Sequence, residues 1–116
     1  MLMNIDQIER TAQYLHNAHR NGERFEQVPE AYRPKNLQEA YAAQDRFLEL
    51  SFSTDSPSIA GYKIAVTSQV IQKLVGISHP CLGVIRGGSV QKAPANLLDS
   101  GFSHVGIECE IAFTLK

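Results

Sequence analysis

Residues 104–115 carry the clearest period-two pattern in the chain. Val105, Ile107, Cys109, Ile111, Phe113 and Leu115 fall on one parity, and His104, Gly106, Glu108, Glu110, Ala112 and Thr114 on the other. A period of two matches the pleat of a β-strand, whose successive side chains point to opposite faces, and it predicts a strand over the whole segment. A strand alone in water is not stable. The segment is therefore expected either to insert back among the earlier strands or to lack a partner that should have followed, in a chain whose first half is patterned for helices.

In that first half, Ile5, Ile8, Ala12, Leu15 and Ala18 recur at helical spacing, with Asp6, Glu9, Arg10, Gln13 and Asn17 on the other faces and Gly22 as a stop. Residues 22–35 hold Gly22, Pro29 and Pro34 among charges and read as a connection. A second helix is predicted from Asn36, which can cap it, with Glu39 three residues on as in a capping box. Leu37, Ala40, Tyr41, Gln44, Phe47, Leu48 and Phe52 are expected to make its buried stripe. The Ser, Asp and Pro of residues 51–58 end it and mark a junction.

Beyond the junction the pattern shortens. Residues 59–66 read as a strand punctuated by Gly61. Thr67 or Ser68 can cap a short helix carrying Val70, Ile71, Leu74 and Val75, which Gly76 closes. Pro80, Gly83, Gly87 and Gly88 then indicate a loop, interrupted by Leu82 and by Val84 and Ile85; Val90 is compatible with another short strand, and residues 94–101 are turn-rich. The fold class expected is α+β, with an N-terminal helical portion over residues 1–58 and the start of a β-rich domain over 59–116.

Composition narrows the function classes. Of 116 residues, 43% are hydrophobic and 20% charged, the balance of an ordinary globular chain, and the formal net charge is -1. No basic excess marks a nucleic-acid or membrane-surface partner. No apolar run is long enough to cross a bilayer, and the first residues lack a signal-peptide pattern, so neither nucleic acid nor membrane is expected and a cytoplasmic location is. Cys81 and Cys109 match no zinc or C-x-x-C spacing and are expected to be small, reduced, buried side chains.

Two features point to chemistry. Glu108 and Glu110 stand on one face of the predicted strand, about 6.5–7 Å apart at their α-carbons, within reach of one hard cation; small Gly106 and Ala112 flank them. Like charges so close repel unless something positive lies between them. On spacing alone, a solvated face with two surface charges accounts for the same pattern, and E-x-E by itself is a weak signal. Lys63 is the second feature: it shares a face with Gly61 and Ala65 in an otherwise apolar strand, where a lysine can act as an electrostatic clamp or a proton-transfer group. His16, His19, His79 and His104 show no ligand spacing; His16 and His19 read as solvent-facing helix residues, and His104 precedes the glutamates on their face.

The segments Gly61-Tyr62-Lys63-Ile64-Ala65-Val66-Thr67-Ser68, then Gln72, Leu74-Val75-Gly76-Ile77, Pro80 and Gly83, then Ile107-Glu108-Cys109-Glu110-Ile111-Ala112-Phe113, with Glu39-Ala40-Tyr41 and Gln44 before them, together resemble the 2-keto-4-pentenoate hydratase family of the fumarylacetoacetate hydrolase superfamily. The resemblance implies the front part of a fumarylacetoacetate hydrolase-like mixed β fold and a homo-oligomer. It implies a lyase acting on a small 2-oxo acid substrate in aromatic-compound catabolism, adding water to a 2-hydroxy-2,4-dienoate or 2-oxo-enoate. By the same resemblance Glu108 and Glu110 are two ligands of Mg²⁺ or Mn²⁺, which acts as a Lewis acid on the 2-oxo group, and Lys63 assists proton transfer. Cys81 and Leu82 fall in the loop that borders the substrate. Some hydratases carry an acidic residue where this chain has Cys81, which leaves a 2-oxo acid decarboxylase or an acylpyruvate hydrolase open. Family members are longer and draw a third acidic ligand from beyond the strand, whereas no Asp or Glu follows Glu110. The chain is thus expected to be incomplete as a catalyst, and a non-catalytic binding or assembly module is a further alternative.

Overall fold

A computed structural model describes residues 4–23, 28–52, 58–98, 102 and 104–116. The architecture is α+β. Helix α1 spans Ile5–Arg20, a 3-10 turn spans Glu30–Tyr32, and helix α2 spans Leu37–Ser51. Strand β1 spans Ile59–Ala65, helix α3 Gln69–Val75 and strand β2 Cys81–Arg86, followed by a 3-10 turn at Gly87–Ser89. The two strands pair antiparallel. The predicted junction lies largely at 53–57, outside the described residues.

The helices begin and end where local chemistry sets them. Asn4 caps α1, its side-chain oxygen accepting the Gln7 N–H at 3.2 Å. The far end closes in a Schellman motif: the Glu23 N–H reaches the Ala18 carbonyl at 2.9 Å and the Gly22 N–H the His19 carbonyl at 3.2 Å. Gly22 takes φ +65°, a conformation that costs glycine least. Asn36 caps α2 through the Glu39 N–H at 2.9 Å. The reciprocal arm of the box is displaced by one residue, since the Glu39 carboxylate accepts from the Lys35 N–H at 2.8 Å. Replacing Asn36 by Ala leaves a helix-terminal N–H without its acceptor and is expected to lower stability by about 1 kcal/mol, read as a fall in the midpoint of chemical denaturation at unchanged slope.

α1 packs on α2 through small side chains. Ala12 and Ala18 of α1 and Ala43 of α2 are buried, with Thr11 and Glu39 beside them. The apolar stripe expected on α2 is thus turned toward Ala43, and Leu37 and Ile5 remain largely exposed, because close approach of two backbones favours the smallest side chain at the crossing. The Thr11 hydroxyl lies 2.8 Å from both the Gln7 and Tyr32 carbonyl oxygens, holding the first 3-10 turn against α1. The two helical histidines do not simply face solvent. His16 meets the Ser51 hydroxyl at 3.3 Å, and the His19 ring sits 5.0 Å from that of Phe47.

At the rim of this interface Arg46 binds Glu9 at 2.6 Å and Glu49 at 2.9 Å. The hydrogen bond from Arg46 holds the Glu9 carboxyl below its ordinary value of 4.5, and the same contacts raise the Arg46 guanidinium. A depressed acid pKa means that the unfolded chain takes up the proton first as pH falls. The contribution of this pair is therefore complete above pH 4.5 and disappears as pH drops through the lowered native value. A Glu9→Gln chain is expected to show a shallower acid limb below pH 4.5 in a series of thermal melts, and no change in pH dependence between pH 6 and 8. Both side chains are partly exposed, so added salt should shrink the difference.

Two sequence expectations are corrected in the second half. Residues 81–86 form a strand, not a loop. Residues 104–116, in contrast, form none: they carry no strand assignment and enter no backbone hydrogen bond among the described residues. Ile107 is 89% exposed, Phe113 86% and Leu115 93%. Alternation supplies a face for burial, but a strand exists only through hydrogen bonds to a neighbour, and none of the described residues supplies them. Cys109 is correspondingly an exposed free thiol, while Cys81 is half-buried. Val90, compatible with a strand by sequence, follows the second 3-10 turn outside any strand.

Candidate functional site

Lys63 occupies the middle of β1 and pairs with Gly83 of β2. Opposite residues in a sheet share a face, so the register sorts the hairpin into two surfaces. Gly61, Lys63 and Ala65 lie with Ile85, Gly83 and Cys81 on one; Tyr62 and Ile64 lie with Val84 and Leu82 on the other. The first surface is small-sided around its lysine. The aliphatic stem of Lys63 lies across Gly83, where an added Cβ would come within 3.2 Å of its Cγ and Cε. Glycine at that position lets the long side chain lie flat on the sheet.

Beyond Ala65 the chain leaves the strand through Val66, whose φ of 59° is a left-handed conformation that a β-branched residue rarely takes. The Val66 carbonyl accepts from the Gln72 side-chain amide at 3.0 Å. Ser68 caps α3 through the Ile71 N–H at 3.3 Å, and Gly76 closes the helix. This strand–turn–helix–strand path returns β2 beside β1 and sets Cys81 opposite Ala65, on the Lys63 face. Leu82 lies on the opposite surface, so the two residues expected at the substrate loop do not share a face.

Hydrogen bonds tie the hairpin to the helical portion at Leu82. The Leu82 N–H donates to the Tyr41 hydroxyl at 3.1 Å, and the Leu82 carbonyl accepts from the Gln44 side-chain amide at 3.2 Å. Helical spacing puts Tyr41 and Gln44 in the buried stripe expected on α2. Their polar ends instead satisfy the outer edge of β2, a role that only spatial proximity discloses.

Glu108 and Glu110 are exposed and form no ion pair among the described residues. Lys63 is exposed as well, and the structure does not bring it together with them. Among the described residues no group of three or more His, Cys, Asp or Glu converges. The donor set still suits a hard divalent cation: two carboxylates one residue apart offer oxygen ligands of the kind Mg²⁺ and Mn²⁺ take with several waters. Gly106 beside them has open space on its side-chain side. An open cleft of about 320 Å³ lies elsewhere, between α1 and the first 3-10 turn, lined by Arg10, Tyr14, Asn17 and Tyr32 among others. Its tyrosine rings stack at 4.7 Å with Arg10 over Tyr32 at 5.8 Å, contacts that hold the turn on α1.

No helix among the described residues is long and apolar enough to cross a membrane. No protein-family model, curated protein or solved structure matches the chain.

Proposed function

We propose that the chain carries the Lys63 and metal-binding portion of a 2-oxo acid lyase of the 2-keto-4-pentenoate hydratase type, built on a fumarylacetoacetate hydrolase-like fold. The observation that carries this reading is the Lys63 surface of the hairpin. The Lys63 stem lies across Gly83, on a face shared with Gly61, Ala65, Cys81 and Ile85. Such a surface receives a small anionic substrate with little desolvation of the lysine.

Glu108 and Glu110 would hold Mg²⁺ or Mn²⁺, and Cys81 would border the substrate. The ion, when bound, supplies a Lewis acid that draws electron density from a 2-oxo carbonyl. Lys63 attracts the substrate carboxylate electrostatically and carries at Nζ the proton exchanged as a dienol becomes a ketone. Cys81, smaller than an acidic residue and uncharged as a thiol, leaves the substrate carboxylate unopposed on that side.

Titration of Mn²⁺ into the chain with and without oxalate, a stable mimic of the 2-oxo acid grouping, tests the reading. Binding that tightens about tenfold, or 1.4 kcal/mol, when oxalate is present is the expected result. A folded chain that takes up neither ion nor oxalate would refute it. A second reading, a non-catalytic assembly module, is favoured by one observation: the apolar residues Tyr62, Ile64 and Leu82 and the alternating residues of 105–115 are all exposed. Sedimentation equilibrium showing self-association without any ion or oxalate binding is the outcome that reading requires.

A further inference from the structure

The cleft between α1 and the first 3-10 turn is lined by more hydrogen-bond donors than the described residues give acceptors to. Arg10 precedes Tyr14 by one turn of α1, and Tyr32 of the 3-10 turn stacks on Tyr14 with ring centres 4.7 Å apart and planes 9° apart. The Arg10 guanidinium rests over the Tyr32 ring, 5.8 Å from its centre. Among the described residues Arg10 forms no ion pair, in contrast to Arg46, which holds both Glu9 and Glu49. The Tyr14 and Tyr32 hydroxyls likewise meet no hydrogen-bond partner among the described residues, whereas the Tyr41 hydroxyl takes the Leu82 N–H. Gln13 donates its side-chain amide to the Asn17 side-chain oxygen at 3.0 Å, which leaves Asn17 its own NH2 as a further donor.

The chemistry of these groups selects the ligand. A guanidinium over a ring face is held there by the ring quadrupole, and its N–H donors remain available as the fork that matches a carboxylate. The tyrosine rings beside it offer aromatic surface, on which a flat ring packs favourably. The one carboxylate of the cleft, Glu23, stands at its other end. The Glu23 N–H bonds the Ala18 carbonyl, and Ala18 lies about 12 Å along the helix axis beyond Arg10. Its side chain also accepts from the Asn21 amide at 3.1 Å, so its charge is partly met away from the arginine. The cleft measures about 320 Å³, at the lower end of the range for small-molecule sites. A bare inorganic anion would leave the tyrosine surface unused, and an apolar ligand would leave the guanidinium without an acceptor.

We propose that this cleft binds a small aromatic carboxylate, its acid group gripped by Arg10 and its ring packed against Tyr14 and Tyr32. The site is separate from Lys63 and the two glutamates, and it needs no metal ion. The experiment is an NMR titration of sodium benzoate into the metal-free chain, following the backbone amides and the arginine Nε–H signals. Saturable shifts centred on Arg10, Tyr14 and Tyr32 are expected, with a Kd on the order of 1 mM. Arg10→Lys keeps the charge and the helix propensity but loses the fork, so it should bind at least about tenfold more weakly with unchanged circular dichroism. Lys73→Gln, on α3, should bind as the unaltered chain does. Cyclohexanecarboxylate, an acid of similar size without an aromatic ring, should bind more weakly than benzoate. Shifts that do not saturate, shifts centred on the hairpin, or an Arg10→Lys chain of unchanged affinity overturn the proposal. Inorganic phosphate or cyclohexanecarboxylate binding as tightly as benzoate also overturns it, since the cleft would then take anions without regard to the ring. The Mn²⁺ and oxalate titration reads the other site, so either proposal can fail while the other stands.

Discussion

A Glu108→Ala/Glu110→Ala chain is expected to bind Mn²⁺ more than about a hundredfold more weakly than the unaltered chain, a loss of about 2.8 kcal/mol. The physical basis is the donor inventory. A hard divalent cation is held by oxygen ligands and by their charge, and affinity follows the number of carboxylates offered. Within residues 104–116, Glu108 and Glu110 are the only acidic side chains, so the double substitution leaves that segment without an anionic ligand. Each single substitution keeps one carboxylate and should fall between the two extremes. Both glutamates are exposed, so water screens the attraction and the starting affinity is modest. Calorimetric titration at low ionic strength is the suitable measurement. Unchanged binding in the double variant would move the ion to another part of the chain and remove the glutamates from the proposed site.

Ala12→Leu is expected to be the most damaging single change in the helical portion. Ala12 is fully buried, at 0% exposure, where α1 meets α2, and a leucine there has three more carbons to place. Leucine forms helices nearly as well as alanine, so helix propensity contributes little to the change. Overpacking a close contact costs about 1–3 kcal/mol, a large share of the stability of a small domain. The loss should appear as a lower thermal midpoint and reduced helical circular dichroism at 25 °C. Ala12→Gly is the control. It creates no clash and is expected to cost only about 0.5–1 kcal/mol, from backbone entropy. If the leucine chain melted above the glycine chain, tight packing at this crossing would be refuted.

Much of the first half was legible in sequence because its signals are local. Asn36 and Glu39 announce a helix start; the Asn36 cap bond forms, whereas the Glu39 carboxylate accepts from the Lys35 N–H in place of the cap. Ser68 and Gly76 bracket α3 as expected. The strand at β1 was visible in its apolar run, and its end at Ala65 agrees to within one residue. β2 was missed because Gly83 in its centre and Pro80 before it are the ordinary marks of a loop. The glycine is accounted for by the Lys63 stem lying over it, a contact with a residue twenty positions away that no local pattern reveals. The candidate site was legible only as residue types. Lys63 and the Glu108–Glu110 pair each stood out by spacing, and the register of the hairpin then defined the face of Lys63 alone.

What the sequence by itself determined has its cause within about one helical turn or one pleat: the stop of α1 at Gly22, the caps of α2 and α3, the class of each helix, and the strand character of β1. Tertiary structure alone decided which small residues form the α1–α2 contact and that Tyr41 and Gln44 close the outer edge of β2 at Leu82. It also decided that residues 104–116 form no strand with any other described residue despite their period-two pattern. The division has one physical reason. A helix satisfies its backbone hydrogen bonds from within its own segment, so local sequence suffices to specify it. A strand must borrow its hydrogen bonds from another segment, and periodicity describes the face it would bury without naming the neighbour that completes it.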